Sequence, residues 1–282
     1  MKISKNPKGK LLPMGGHVYS KLDKKTHKQR NNPNFPGDEV LRRFLNESIT
    51  SSGDCHIGLL LTAAGKPEKS EKYYQEIFKE LGCRNVSPFN LDTKKEANDS
   101  TILKKIEKLS GIFISGGDQS RINDTILNTD FHRVLLEKYE NEKFIVAGTS
   151  AGAMCLSKDM ISSGEEEEGM VKGTVKLLDG LGFIRNLVID THFHERGRWG
   201  RLLQAVLLNS DYTGIGLATD TGLLIENGKD ATVLGSGEVV FFEVQNNTNS
   251  DIKEKRNGEP ISVRNLLVHS YSHTQKYELR DL

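Results

Sequence analysis

The sequence predicts an α/β fold: one domain on a mostly parallel sheet, with antiparallel hairpins towards the C-terminus. Two observations carry this. Short apolar runs alternate with amphipathic stretches of helical length from Lys10 to about Ser210, the pattern of parallel strands joined by crossover helices. Beyond Ser210 the helical spacing stops, and apolar runs follow one another across turn residues.

The expected strands are Lys10–Met14, Ile57–Thr62, Gly111–Ser115, Phe144–Ala147 and Leu187–Asp190. Each is a short apolar run, as strands buried on both faces require. Between them the spacing predicts helices over Glu39–Thr50, Ser70–Leu81, Ser100–Leu109 and Phe131–Tyr139. Ser70 is the expected N-cap of the second, with Gly82 and Gly111 as the stops after the second and third. In "GLLIENGKDATVLGSGEVVFFEV" the pair Asn227-Gly228 signals a hairpin turn. Residues 245–262 are polar and poor in apolar side chains, hence a surface loop, before a last strand near Asn265–Ser270. There is no internal repeat, and residues 1–282 are read as a single domain.

The chain has 282 residues, 36% of them hydrophobic and 27% charged, which is ample for a buried core. Its net charge of +1 gives no single-sign field, so neither nucleic acid nor membrane is an expected partner. No apolar run reaches the roughly 18 residues of a spanning helix. The start, MKISKNPKGK, is basic without the apolar core of a signal peptide. The three cysteines, Cys55, Cys83 and Cys155, form no C-x-x-C pair. They read as free thiols in a reducing, cytoplasmic compartment. A homodimer is compatible with these data, two-fold dimers being the commonest assemblies.

Ligands of open α/β sheets collect beyond the carboxyl ends of the strands. Three unusual clusters fall there. In "FIVAGTSAGAMCLS" a buried strand runs into Gly148-Thr149-Ser150-Ala151-Gly152 and then into a helix. Flanking glycines permit the cramped turn of a nucleophile elbow, which lifts a serine hydroxyl above the sheet. The amides of Ala151 and Gly152, at the helix N-terminus, would be free to hold an oxyanion. Small residues at such turns also serve packing alone. In "GIFISGGDQSR" Gly116-Gly117 lets the backbone turn tightly and approach a ligand, or is a plain turn with Asp118 as a helix cap.

The third cluster is "VIDTHFHERGRWGRLLQAV". In extended chain Asp190, His192 and His194 would share one face. That spacing suits a metal, but no further Cys/His cluster lies nearby in sequence, and no metal is expected. A helix is expected from about Arg196, burying Trp199, Leu202, Leu203 and Val206. Arg196, Arg198 and Arg201 would then crowd its first turns, where the helix dipole disfavours each cation by about 0.3–1 kcal/mol. Tolerating that cost points to an anion, most naturally a carboxylate held bidentately. The alternative is a solvated basic patch.

Taken in order, "GKLLPMGGHVYSK", "FISGGDQSRI", "GTSAGA", "DTHFHERGRWGRLLQAV", "GIGLATDTGLLI" and "VLGSGEVVFF" resemble the cyanophycinases, serine exopeptidases related to the aspartyl dipeptidases. The resemblance spans Lys10 to about Glu243. It implies a flavodoxin-like three-layer sandwich similar to class I glutamine amidotransferase domains, with serine as the nucleophile. By position it implies Ser150 as nucleophile, His192 as general base, and the Gly117 and Ala151 N–H groups as oxyanion donors. Gln119, Asp190, Arg196, Arg198 and Arg201 would line the substrate pocket. The third catalytic member would be Glu168, in the acidic run "SSGEEEEG", which composition alone reads as a solvated loop. Asp220 is the fallback.

The substrate implied is a peptide or isopeptide carrying an aspartyl carboxylate, cleaved without a cofactor. Two positions depart from the family pattern. Thr191 stands where glutamine is usual, and Thr219 where glutamate is frequent; both put the polymer substrate in question. Two other classes remain open: a non-catalytic carboxylate-binding protein on the same fold, and an amidotransferase-like glutamine hydrolase.

Overall fold

The computed structural model describes residues 6–18, 32, 35, 37–164 and 169–280. Its elements begin with β1 (Lys10–Met14), α1 (Glu39–Ser48), β2 (His56–Leu60), α2 (Pro67–Glu80), β3 (Asn85–Phe89), α3 (Lys94–Ala97) and α4 (Ser100–Glu107). There follow β4 (Gly111–Ile114), α5 (Gln119–Ile126), α6 (Asp130–Asn141), β5 (Ile145–Thr149), α7 (Ala151–Met154), β6 (Asp159–Ser163) and β7 (Lys176–Asp179). Next come β8 (Leu187–Thr191), α8 (Trp199–Leu208), β9 (Thr213–Leu217), β10 (Thr221–Glu226), β11 (Asp230–Gly235) and β12 (Val239–Glu243). The chain closes with β13 (Asn249–Ser250), β14 (Val263–Arg264), β15 (Leu267–Tyr271) and β16 (Lys276–Glu278).

The central sheet has eight strands in the order β16-β11-β10-β1-β5-β4-β2-β3. The run β1-β5-β4-β2-β3 is parallel, and β10, β11 and β16 extend it antiparallel. Alternation along each strand divides the core between two faces. In β5, Ile145 and Ala147 face the cluster of Val40, Phe44, Ile77 and Phe78 from α1 and α2. Val146 faces the opposite cluster, built from Ile106, Ile122, Phe131 and Leu135 of α4 to α6.

The hairpin at Asn227-Gly228 forms between β10 and β11, with both turn residues at positive φ (53 and 72). The chain then leaves the central sheet. Strand β12 pairs with β9 and β15 in a second sheet ordered β15-β12-β9-β8. Its Ile189, Ile215, Leu217 and Phe241 join the second core cluster of the central sheet. Helix α8 covers the other side through Leu202, Ala205 and Val206, against Val188, Val240 and Phe242.

Some local expectations shift. Pro67 opens α2 at its first turn, so the helix starts ahead of Ser70. Gly111 belongs to β4 rather than to a helix stop. Within 245–262, Ile252 and Ile261 are buried against Leu207. Cys55 and Cys83 are joined in a disulfide across 28 positions, which corrects the reading of all three cysteines as free thiols. Parallel pairing of β2 with β3, His56 opposite Asn85, brings together the segments that enter the two strands, a proximity that the spacing alone does not reveal. Among the described residues no helix is long and apolar enough to cross a membrane.

Candidate active site

Strand β5 runs directly into the serine turn. Ser150 takes φ 53 and ψ −117, between the strand end at Thr149 and the helix start at Ala151. A side chain held at positive φ is strained, and such strain is characteristic of a nucleophile elbow. The flanking glycines are sterically required. A Cβ on Gly148 would lie 2.1 Å from the Gly152 carbonyl oxygen, and one on Gly152 would lie 2.2 Å from that of Ile114.

The turn after β4 lies against this serine. A Cβ on Gly116 would sit 3.2 Å from Ser150 Cβ. Gly117 has φ 144, and a Cβ there would meet the Ala63 carbonyl oxygen at 1.8 Å, so no larger residue fits. Neither the Gly117 nor the Ala151 N–H donates to a described residue. Asp118 also caps α5 by accepting from the Ser120 N–H, so the plain-turn role and the approach to Ser150 coexist. Gln119 gives its amide Nε2 to the carbonyls of Ile161 (3.1 Å) and Ser162 (3.2 Å).

His192 follows β8 and reaches Ser150 from the second sheet. Its Nε2 is 3.2 Å from Ser150 Oγ. The backbone sits at φ 50, and the His192 N–H donates to the Gly15 carbonyl at 2.5 Å. The ring packs on Gly16, where a Cβ would be 2.4 Å from Cε1. Burial, followed by the charges of Arg196 and Arg198, lowers the ring pKa to about 4. His192 is therefore neutral at neutral pH and able to accept a proton.

The extended face expected for Asp190, His192 and His194 does not form. Strand β8 ends at Thr191, and the three side chains go to different partners. His194 Nε2 lies 3.0 Å from Glu238 Oε1, while Asp190 is fully buried. Helix α8 starts at Trp199, three positions later than expected. Trp199 is 42% exposed rather than buried, packed on Phe193 and Phe242.

The arginines divide. Arg201 donates from Nε to Asp190 Oδ2 (2.8 Å) and from Nη2 to Oδ1 (2.5 Å). Arg198 Nη1 donates to Asp190 Oδ1 at 3.3 Å. The expected carboxylate thus exists, but for these two arginines it is the chain's own. Arg196 is exposed and has no carboxylate partner among the described residues.

Thr191 is fully buried, with no hydrogen-bond partner for Oγ1 among the described residues. At Thr219 a carboxylate arrives from elsewhere: Glu195 Oε1 accepts from the Thr219 N–H at 2.9 Å. Asp220 takes φ 55, and its Oδ2 accepts from Ser236 Oγ at 2.7 Å. Glu168, with Glu165 and Glu166, lies outside the described residues. Cys155 is 1% exposed, its Sγ donates to the Gly152 carbonyl, and burial raises the thiol pKa. It is no candidate nucleophile.

Sequence reasoning assigned no role to Gly15 and Gly16, which hold the His192 N–H and ring. Their signal is a Gly-Gly pair directly after a strand, as at Gly116-Gly117.

Residues 40–233 match the sequence model of peptidase family S51. The chain belongs to this family. It is 32% identical to a cyanophycinase of Synechococcus elongatus over 244 residues, covering 86% of this chain and 75% of that one. To a cyanophycinase of Trichormus variabilis it is 30% identical over 243 residues, 86% of this chain and 81% of the relative. The fold agrees with the crystal structure of a peptidase from an acI-B1 actinobacterium, at a TM-score of 0.66 and 17% identity, over 96% and 97% of the two chains. As an S51 member the chain is a serine peptidase.

Proposed function

We propose that this S51 peptidase is an exopeptidase that hydrolyses aspartyl or β-aspartyl (isopeptide) bonds, with Ser150 as nucleophile and His192 as general base. The observation carrying the proposal is the 3.2 Å approach of His192 Nε2 to Ser150 Oγ at a strained elbow. His192 takes the Ser150 proton as Oγ bonds to the scissile carbonyl carbon, and the electron pair moves to the carbonyl oxygen. The unengaged Gly117 and Ala151 N–H groups receive that oxyanion. The C–N bond then breaks, His192 protonates the leaving amine, and water cleaves the acyl-serine by the same route in reverse. Glu168 is proposed to orient the imidazole, with Asp220 as the alternative. Gln119 and Arg196 are proposed to line the substrate pocket, Arg196 meeting the aspartyl carboxylate.

The reading that a binder occupies this fold needs no neutral imidazole beside a strained serine, and the pairing argues against it. A fluorophosphonate probe together with a hydrolysis panel tests the proposal. The panel holds α-Asp, β-Asp-Arg, β-Asp-Lys and β-Asp-Leu dipeptides and cyanophycin. The expected result is Ser150-dependent labelling and cleavage within the aspartyl set. Labelling without cleavage of any aspartyl substrate would reject the substrate class while keeping the nucleophile.

A further inference from the structure

We infer that Asp190 and Arg198 are positioning residues for His192, and that of the three clustered arginines Arg196 alone is left to meet an acidic substrate. The inference rests on the reading of Ser150 and His192 as the reacting pair.

The peptide unit between Thr191 and His192 is pinned on both sides. Arg198 Nη1 donates to the Thr191 carbonyl at 2.7 Å, and the His192 N–H donates to the Gly15 carbonyl at 2.5 Å. One position earlier, the Thr191 N–H donates to Asp190 Oδ1 at 2.8 Å. That same oxygen accepts from Arg198 and Arg201, and Arg201 reaches on to the Gly164 carbonyl at 3.3 Å. Strand end, helix α8 and the end of β6 thereby share one ionic clamp. Asp190 is fully buried, and Arg198 and Arg201 are 8% and 6% exposed.

A histidine at φ 50 persists only where its surroundings over-determine it. The clamp supplies that constraint. Releasing the Thr191 carbonyl lets the peptide rotate and swings the imidazole off Ser150. A substrate carboxylate, by contrast, could take Asp190's place only by leaving a buried charge unpaired. Arg196 is differently placed: its N–H donates to the His192 carbonyl at 3.1 Å, one turn beyond the ring, and its guanidinium is exposed.

The test uses an uncharged fluorophosphonate, whose labelling rate reads Ser150 activation without any carboxylate, beside kcat and KM for an acidic and a neutral peptide. Arg198→Lys keeps a cation near Asp190, but its side chain is one bond shorter and draws the charge back from the place of Nη1, the single atom that meets both Asp190 and the Thr191 carbonyl. It is expected to label about tenfold slower, and Arg198→Gln on the order of 10²-fold slower, as angstrom-scale misplacement costs. In both, the acidic-to-neutral KM ratio stays at the wild-type value. Arg196→Gln has the opposite signature, an acidic-to-neutral KM ratio raised about tenfold, the size of one lost charge-assisted contact. Circular dichroism checks that each variant is folded, and Arg198→Lys decides if Arg198→Gln is not. Wild-type labelling in either folded Arg198 variant, with KM raised for the acidic peptide alone, would overturn the clamp and make Arg198 a substrate contact. If the wild type itself fails to label at Ser150, the reading of the pair is what fails, and the inference falls with it.

Discussion

Ser150 and His192 stand 42 positions apart in the chain and in different sheets, yet Oγ and Nε2 lie 3.2 Å from each other. Both residues sit at positive φ, and both follow directly on a strand end. Two strained turns that face one another across a gap between sheets make the site a product of sheet packing.

Ser150→Ala is expected to abolish peptide hydrolysis and fluorophosphonate labelling while leaving the protein folded. Removal of a catalytic serine lowers kcat by about 10⁶-fold in a comparable system. Ser150→Gly should be equally inactive, yet more stable by about 1 kcal/mol, because glycine accepts φ 53 without strain. Melting curves and turnover of the two purified variants check this, and near-normal turnover in either would remove Ser150 from the chemistry.

Glu168→Gln is expected to lower kcat by roughly 10⁴-fold, as loss of an orienting carboxylate does. The same change at Glu165 or Glu166 should leave kcat near wild type. Asp220 is already engaged by Ser236, so Asp220→Asn is expected to cost less than Glu168→Gln. The reverse ranking in a kcat series would hand the orienting role to Asp220.

The pH profile follows from His192. Its folded pKa of about 4 lies below the ordinary imidazole value near 6.5, so the base stays neutral through mildly acidic pH. The acid limb of kcat/KM is expected to fall near pH about 4 rather than near about 6.5. The unfolded chain takes up this proton first. The His192 contribution to stability is therefore complete above about pH 6.5 and declines as pH falls towards 4. Tm should drop more steeply across that window in the wild type than in His192→Gln. An acid limb at about 6.5 would mean that the ring is not held dry.

Arg201→Gln is expected to melt well below the wild type. As three solvated like charges the arginines would repel, and neutralising one would raise Tm or leave it alone. The bidentate pair with buried Asp190 reverses that sign. Removing one partner of a buried ion pair costs about 3–5 kcal/mol. Thermal denaturation decides, and an unchanged Tm would show that Asp190 is not stabilised through Arg201.

Much of this was legible in the chain. Four of the five parallel strands, β1, β2, β4 and β5, and also β8 declared themselves as short apolar runs, whereas β3, the edge strand NVSPF, carries too few apolar residues to show. Gly148 to Gly152 announced the elbow because close backbone approach admits only glycine there. The resemblance of the quoted motifs to the cyanophycinases named Ser150 and His192, and the S51 match bears out the family. Sequence pattern speaks to a residue's immediate neighbours, through φ, periodicity and capping. It is silent on which far-off group a side chain will meet. Trp199 fitted an amphipathic helix and yet stands at its exposed first turn. Cys55 and Cys83 looked unrelated until β3 paired with β2 and set their entering segments side by side.

The amino-acid sequence by itself determined most of the strands and helices around the site, the serine turn and the presence of a basic cluster that either meets an anion or is solvated, since these follow from local sterics and charge. Only the tertiary structure decided what that anion is. Asp190, placed by β8 beneath α8, is held where water cannot screen it, and so it captures Arg198 and Arg201 and leaves Arg196 at the surface.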